Sequence, residues 1–205
     1  MRIGITGGIG SGKSRVAEYW ARWFGLPLID LDQICRNLLV QGQPGWQALV
    51  DLLDGSFFYR DGSLDRTRLR TALFASPRLR QQVDKLLHPL ARSCMHQQAA
   101  LARSRLVLIE IPLLFEAGWQ DDVDRIVLVF ADDAVRVQRV ARRDSVQEHE
   151  AVQAIAAQAK LIDKVSGADH VLDNSGVWPD TCLQIHHLGQ QYARTSLQRA
   201  KEAII

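Results

Sequence analysis

Near the start of the chain, eight residues have the types and spacing needed to hold a polyphosphate: Gly7-Gly8-Ile9-Gly10-Ser11-Gly12-Lys13-Ser14 fits G-x-x-x-x-G-K-[ST] at every defined position. In such a run the glycines let successive backbone N–H groups turn inward on an anion. A helix starting at the end of the run adds the positive end of its dipole, worth ~0.3–1 kcal/mol per charge at an exposed site. Lys13 is expected to reach the β- and γ-phosphates, and the Ser14 hydroxyl to ligate Mg2+. The chain holds only five lysines against a large excess of arginine, so a lysine at this position is unlike an accident of composition.

Other side chains could act beside that loop. Asp30 and Asp32 end a short apolar run, where an open α/β sheet presents ligand-facing carboxylates. One of the two can act on a substrate hydroxyl; if a helix begins between them, Asp32 can instead be its N-cap. Glu110, near the end of Leu106–Ile111, stands where phosphate-loop enzymes keep an acid for Mg2+ or its waters. Arg136, Arg139 and Arg143 fall three and four apart and share one helical stripe, opposite Val137, Val140 and Ala141. His88 precedes Pro89 and reads equally as structural or reactive. His186-His187 has no second ligand pair at metal spacing and reads as ordinary helix.

The elements that position these residues follow from periodicity. Arg2–Thr6 reads as a buried strand, and Val16, Ala17, Trp20, Ala21 and Phe24 recur at helical spacing until Gly25. From Gln33 to about Arg105 the alternation of strand and helix gives way to helices over 33–41, 45–53, 65–75 and 77–103, with Pro89 expected to kink or end the last. This helical, basic stretch is an insertion between two strands. Leu106–Ile111 and Ile126–Phe130 are further strands, and Pro112-Leu113-Leu114-Phe115-Glu116 is a loop beside the phosphate site. Its apolar residues are either ordinary core or a wall against an adenine or acyl-type ligand. Residues 145–164 read as a polar, alanine-rich helical segment with little apolar anchoring, suited to a mobile lid. A last strand near 168–173 leads to a turn at Asn174 and a helix from Trp178 to about Ala203.

Composition narrows the class. The 25 basic and 23 acidic groups leave a formal charge of +2, which gives no bulk reason to expect a nucleic-acid or membrane partner. Cys35, Cys94 and Cys182 are scattered and never in C-x-x-C, against both a disulfide framework and a zinc site. No apolar run approaches the ~20 residues of a membrane span and no leader precedes the first strand, so a cytoplasmic protein is expected, a monomer or small homo-oligomer.

Taken together, Thr6–Ser14, Ile29-Asp30-Leu31-Asp32 with Arg36, Leu87-His88-Pro89, Ile111-Pro112-Leu113-Leu114 with Glu116, Gln138-Arg139 with Arg143-Asp144, and Ala168-Asp169 with Asp173-Asn174 resemble the dephospho-CoA kinase family. The resemblance covers nearly the whole chain. It implies transfer of the ATP γ-phosphate to the ribose 3′-hydroxyl of dephospho-CoA, the last step of coenzyme A synthesis, with Mg2+. It also implies a three-layer α/β fold: a five-stranded parallel phosphate-loop core over 1–32, 105–144 and 165–205, an inserted helical substrate domain over 33–104, and a helical lid over 145–164.

By position, Lys13, Asp32 and Arg139 are then the catalytic set, with Asp32 as general base. Gly8, Ile9, Gly10, Ser11, Gly12, Lys13, Ser14, Arg15, Arg139, Arg143 and Asn174 would bind ATP, Asn174 on the adenine side. Asp32, Arg36, His88, Pro112, Leu113, Leu114 and Glu116 would bind the acceptor. Ser14 would hold Mg2+, with Glu110 acting through water. Two positions depart from the family: Arg15 replaces a common Thr, and Leu161 replaces a lid arginine three residues after Gln158, which leaves Lys160 or Lys164 to substitute. Another small-molecule kinase of the same loop class is the alternative; a GTP-reading switch would need N-K-x-D, which is absent.

Overall fold

The computed structural model describes residues 1–202, with side chains through residue 198; the expected helix end at Ala203 lies outside the described residues. In chain order the elements are β1 (Arg2–Gly7), α1 (Lys13–Phe24), β2 (Leu28–Asp30), α2 (Leu31–Leu38), α3 (Pro44–Leu52), α4 (Arg66–Ala75), α5 (Pro77–Leu101), β3 (Val107–Glu110), β4 (Arg125–Phe130), α6 (Asp133–Asp144), α7 (Glu148–Ala156), β5 (His170–Asp173) and α8 (Trp178–Glu202). A 3-10 segment, Leu161–Gly167, lies between α7 and β5. Two compact units emerge: residues 1–29 with those from 102 onward, and residues 30–101.

The first unit is built on a five-stranded sheet ordered β2-β3-β1-β4-β5. β1 runs parallel to β3, with Ile5 opposite Glu110, and parallel to β4, with Gly7 opposite Val129; β4 and β5 are also parallel. Alternation of side chains along each strand divides the core. Ile3, Ile5, Leu108, Val127, Val129 and Leu172 pack on one face against Val16, Ala17 and Trp20 of α1 and Ile185, Leu188 and Tyr192 of α8. On the other face Gly4 leaves room for Leu114 and Val123, whose atoms would lie 3.0 to 3.2 Å from an added Cβ. Gly25 ends α1 in the left-handed region at φ 62°, its N–H donating to Ala21 O.

The second unit is helical. In α2 the buried residues Leu31, Ile34 and Leu38 keep helical spacing. Leu49, Leu64, Leu69 and Val83 form a core of their own with Trp46, Phe57 and Phe58 around it. Pro89 does not end its helix, since α5 runs unbroken from Pro77 to Leu101. Val83 before it and Ala91 and Met95 after it are all buried, so packing on both sides holds the helix through a residue that lacks one backbone donor.

Candidate active site

β1 delivers the glycine-rich loop to the N-terminus of α1. Gly12 is the N-cap of that helix at φ 84°, in the left-handed region, and an added Cβ there would collide with the Asn174 amide. Asn174 is buried behind the loop: its Nδ2 donates to Ser11 O at 2.8 Å and its Oδ1 accepts from Thr181 Oγ1 at 3.0 Å. The residue expected on the adenine side thus has its side chain committed to holding the loop. At the end of β3, Glu110 is 5% exposed, accepts from Ser14 Oγ at 2.6 Å and has Lys13 Nζ 3.9 Å away. Lysine, hydroxyl and carboxylate therefore converge as their sequence positions suggested.

Three of the four arginines of α6 are graded by depth. Arg136 is 2% exposed, its Nε donating to Ile9 O at 2.9 Å and its NH1 to Asp133 Oδ1 at 2.8 Å. Arg139 is half-buried; its NH2 donates to Asn174 O at 2.8 Å, and its NH1 makes longer contacts of 3.5 and 3.4 Å with Gly10 O and Ser11 O. Arg143 is exposed and forks onto Asp144 at 2.7 and 2.8 Å. Burial, and then the positive charge of Arg15, pull the Arg139 guanidinium below its ordinary value. Arg15 itself lies over the Trp178 ring at 3.8 Å. Gly8, Gly10, Gly12, Lys13, Ser14, Arg139, Val140 and Arg143 line a cavity of about 250 Å³, three glycines and three cations among them. That lining suits a compact polyanion.

The segment expected to be a weakly anchored lid is held at several points. Gln158 Oε1 accepts from Ile9 N at 2.8 Å, Ala151 and Leu161 are buried, and Lys164 pairs with Glu116 at 2.5 Å while itself 4% exposed. Lys164 is thereby engaged away from the cavity lining, and Glu116 has a cation for a partner. Of the loop that precedes it, Leu114 is fully buried against β1 and belongs to the core, whereas Leu113 is 41% exposed and Pro112 half-buried.

In the second unit the acids separate by role. Asp30 is the N-cap of α2, accepting from Gln33 N at 3.0 Å, and it also meets Arg36 NH2 at 3.4 Å. The capping duty considered for Asp32 therefore belongs to Asp30, because the helix begins one residue earlier, at Leu31. Asp32 lies exposed in the first turn. Below it, burial together with the charges of Asp32 and Asp30 pushes the Cys35 thiol up to about 11, so it stays protonated at neutral pH. His88, half exposed, faces Asp84 at 3.8 Å and borders a surface cavity on α5 with Pro77, Arg78, Arg80 and Lys85.

Comparison with known proteins fits this geometry. The family model described as dephospho-CoA kinase matches residues 1–180. The chain belongs to the dephospho-CoA kinase family. A dephospho-CoA kinase of Shouchella clausii is 38% identical over 189 residues, covering 91% of this chain and 95% of its own. The crystal structure of a Thermus thermophilus protein superposes with a TM-score of 0.81 at 30% identity, covering 93% of this chain and 97% of that one. Dephospho-CoA kinase from Campylobacter jejuni shares the fold, with a TM-score of 0.70 at 20% identity over 95% of this chain and 98% of that one.

For a member of the dephospho-CoA kinase family, three residues around the loop escaped sequence reasoning: the role of Arg136 as a support rather than a face, the reach of Gln158 to Ile9, and the bond from Thr181 to Asn174. Arg136 showed in the sequence only as part of an arginine stripe and Gln158 only as a marker in the lid pattern, while Thr181 left no trace.

Proposed function

We propose that the chain transfers the γ-phosphoryl group of ATP to the ribose 3′-hydroxyl of dephospho-CoA, giving coenzyme A and ADP. The observation that carries the reading is the convergence of Lys13, Ser14 and Glu110 at the lip of a glycine-lined cavity, in a chain of this family. Phosphoryl transfer has a loose transition state with charge spread over equatorial oxygens, so it asks a protein for alignment and neutralisation more than for covalent chemistry.

Each part has a candidate. The loop amides and Lys13 take the phosphates, with Arg139 and Arg143 in the same cavity lining. Asp32, free of the capping bond that Asp30 supplies, receives the proton of the attacking hydroxyl. Arg36 and His88 offer cationic and hydrogen-bonding contacts to the phosphorylated acceptor. Leu113, exposed, is the apolar contact of its loop, while Leu114 supports it from the core.

Ser14 Oγ and Glu110 Oε1, 2.6 Å apart, are hard oxygen donors of the kind Mg2+ takes, beside a cavity sized for phosphate. Bound there, Mg2+ would offset charge on the β- and γ-phosphates. Ser14 would ligate it directly, and Glu110 would hold its water. Cys35, Cys94 and Cys182 are all free thiols, and no helix among the described residues is long and apolar enough to cross a membrane; both suit a cytoplasmic enzyme.

The test is an acceptor panel: protein, ATP and Mg2+ with dephospho-CoA, AMP, shikimate or no acceptor, following ADP release. Turnover with dephospho-CoA at least a hundredfold above the others is expected. Preference for AMP or shikimate would assign a different kinase, and ADP release independent of any acceptor would overturn the transfer itself.

A further inference from the structure

An arginine buried to 2% exposure is costly to desolvate, and its ion-pair partner Asp133 is an exposed acid, 83% accessible, three residues earlier on the same helix. Such a charge is compensated largely by what it touches. Arg136 Nε donates to Ile9 O at 2.9 Å, and an added Cβ on Gly8 would lie 2.5 Å from its NH2. Glycine at position 8 therefore admits the guanidinium as well as any phosphate. The peptide on the other side of Ile9 is held too, because Ile9 N donates to Gln158 Oε1 at 2.8 Å. Both peptides flanking Ile9 are thus tied, one to α6 and one to the segment after α7.

Gly8 and Gly10 line the phosphate cavity, while Arg136 does not. The guanidinium stands behind the loop, bonded to the Ile9 carbonyl and outside the cavity lining. We propose that Arg136 is a positioning residue for the triphosphate: it fixes the Ile9 peptide from behind and places a desolvated positive charge where the polyphosphate, and not the nucleoside, feels it. The proposal rests on the reading of the cavity as the phosphate site. In a low-dielectric setting a charge acts through a thin layer of protein far more strongly than through water, which is why a group that never touches ATP can select for its tail.

The experiment is calorimetric titration of the full-length protein with Mg-ATP, Mg-ADP and AMP, for wild type, Arg136→Gln and Arg136→Lys, with a thermal melt of each. Arg136→Gln should weaken ATP at least tenfold, ADP less, and AMP less than twofold, while the KM for dephospho-CoA stays within twofold. Arg136→Lys, which keeps the charge and loses the planar fork, should recover part of the ATP affinity. A folded Arg136→Gln that binds ATP within twofold of wild type would overturn the proposal, as would an AMP loss equal to the ATP loss. If Arg136→Gln melts below the titration temperature, Asp133→Asn decides: removing the exposed acid should leave ATP binding unchanged or tighter, and weaker binding overturns the charge argument. A wild type that binds no ATP would instead sink the phosphate-site reading.

Discussion

The phosphate loop and the acid-bearing start of α2 are built on opposite principles. Around the loop, three polar side chains are engaged inside the protein: Asn174 with Ser11 O and Thr181, Ser14 with Glu110, Arg136 with Ile9 O. At the start of α2, Asp32 and Arg36 are exposed, and only Asp30 has a structural bond to the backbone. A loop that must present amides to a triphosphate without reorganising benefits from rigidity. In the proposed reaction, a base that must meet a large, flexible acceptor keeps its reach by staying in water until the acceptor arrives. Nucleotide binding should therefore depend on the first region alone, and turnover on both.

The sharpest break in that contrast comes from Asp32→Asn. It keeps size and polarity but removes the proposed proton acceptor, and kcat should fall by roughly 10²–10⁴, the usual range for a general base. ATP affinity by calorimetry should stay within twofold. A variant with near wild-type turnover would remove Asp32 from the mechanism, and one that loses ATP binding would show that the acid belongs to the nucleotide site.

Lys13→Ala is the matching test on the other side. Loss of the cation proposed to sit at the phosphates should lower kcat by about 10²–10³ and weaken ATP as well, while AMP, which has no β- or γ-phosphate, is little affected. Steady-state kinetics beside nucleotide titrations would check this. Unaltered ATP binding would mean that Lys13, 3.9 Å from Glu110, serves the carboxylate and not the ligand.

These two residues differ in how well the chain announces them. Lys13 sits in a motif whose every position has a local backbone reason, so loop, strand and helix follow from eight letters and their flanks. Strands β1, β3 and β4 were likewise legible, since each is a largely apolar run; that five strands lie parallel in one sheet followed only from the family resemblance. What was hidden depends on contacts far apart in sequence. Asn174 reads as a turn residue, and only the approach of β5 to the loop shows that its amide supports Ser11 O. Lys164 reads as a lid cation free to meet phosphate, and only the packing of residues 161–167 beside the 112–119 turn gives it Glu116. Leu161, judged by the arginine it replaces, is core.

That pair offers a smaller effect. Glu116→Gln would leave Lys164, 4% exposed, with a neutral partner in place of a carboxylate. Weakening a charge-assisted bond to a buried group of this kind should cost about 1–3 kcal/mol. Urea unfolding should show it as a lower midpoint at an unchanged slope. If stability is unchanged but the KM for dephospho-CoA rises tenfold, Glu116 belongs with the exposed, acceptor-facing residues and the boundary between the two regions shifts.

The smallest effect tests the division of labour between neighbouring acids. Asp30 accepts from Gln33 N at 3.0 Å and pairs with Arg36 at 3.4 Å, both at the surface. An exposed pair adds ~0–1 kcal/mol at most, so Asp30→Ala should cost mainly the cap, about 0.5–2 kcal/mol. For a chain of this size that is a fall in Tm of roughly 1–8 °C, from ~2–4 °C per kcal/mol. Asp32 keeps its place in the first turn whether or not the turn is capped, so kcat at saturating substrates should change less than fivefold. A loss of turnover as deep as that of Asp32→Asn would mean that the two carboxylates act as a unit, one holding the helix end at which the other works.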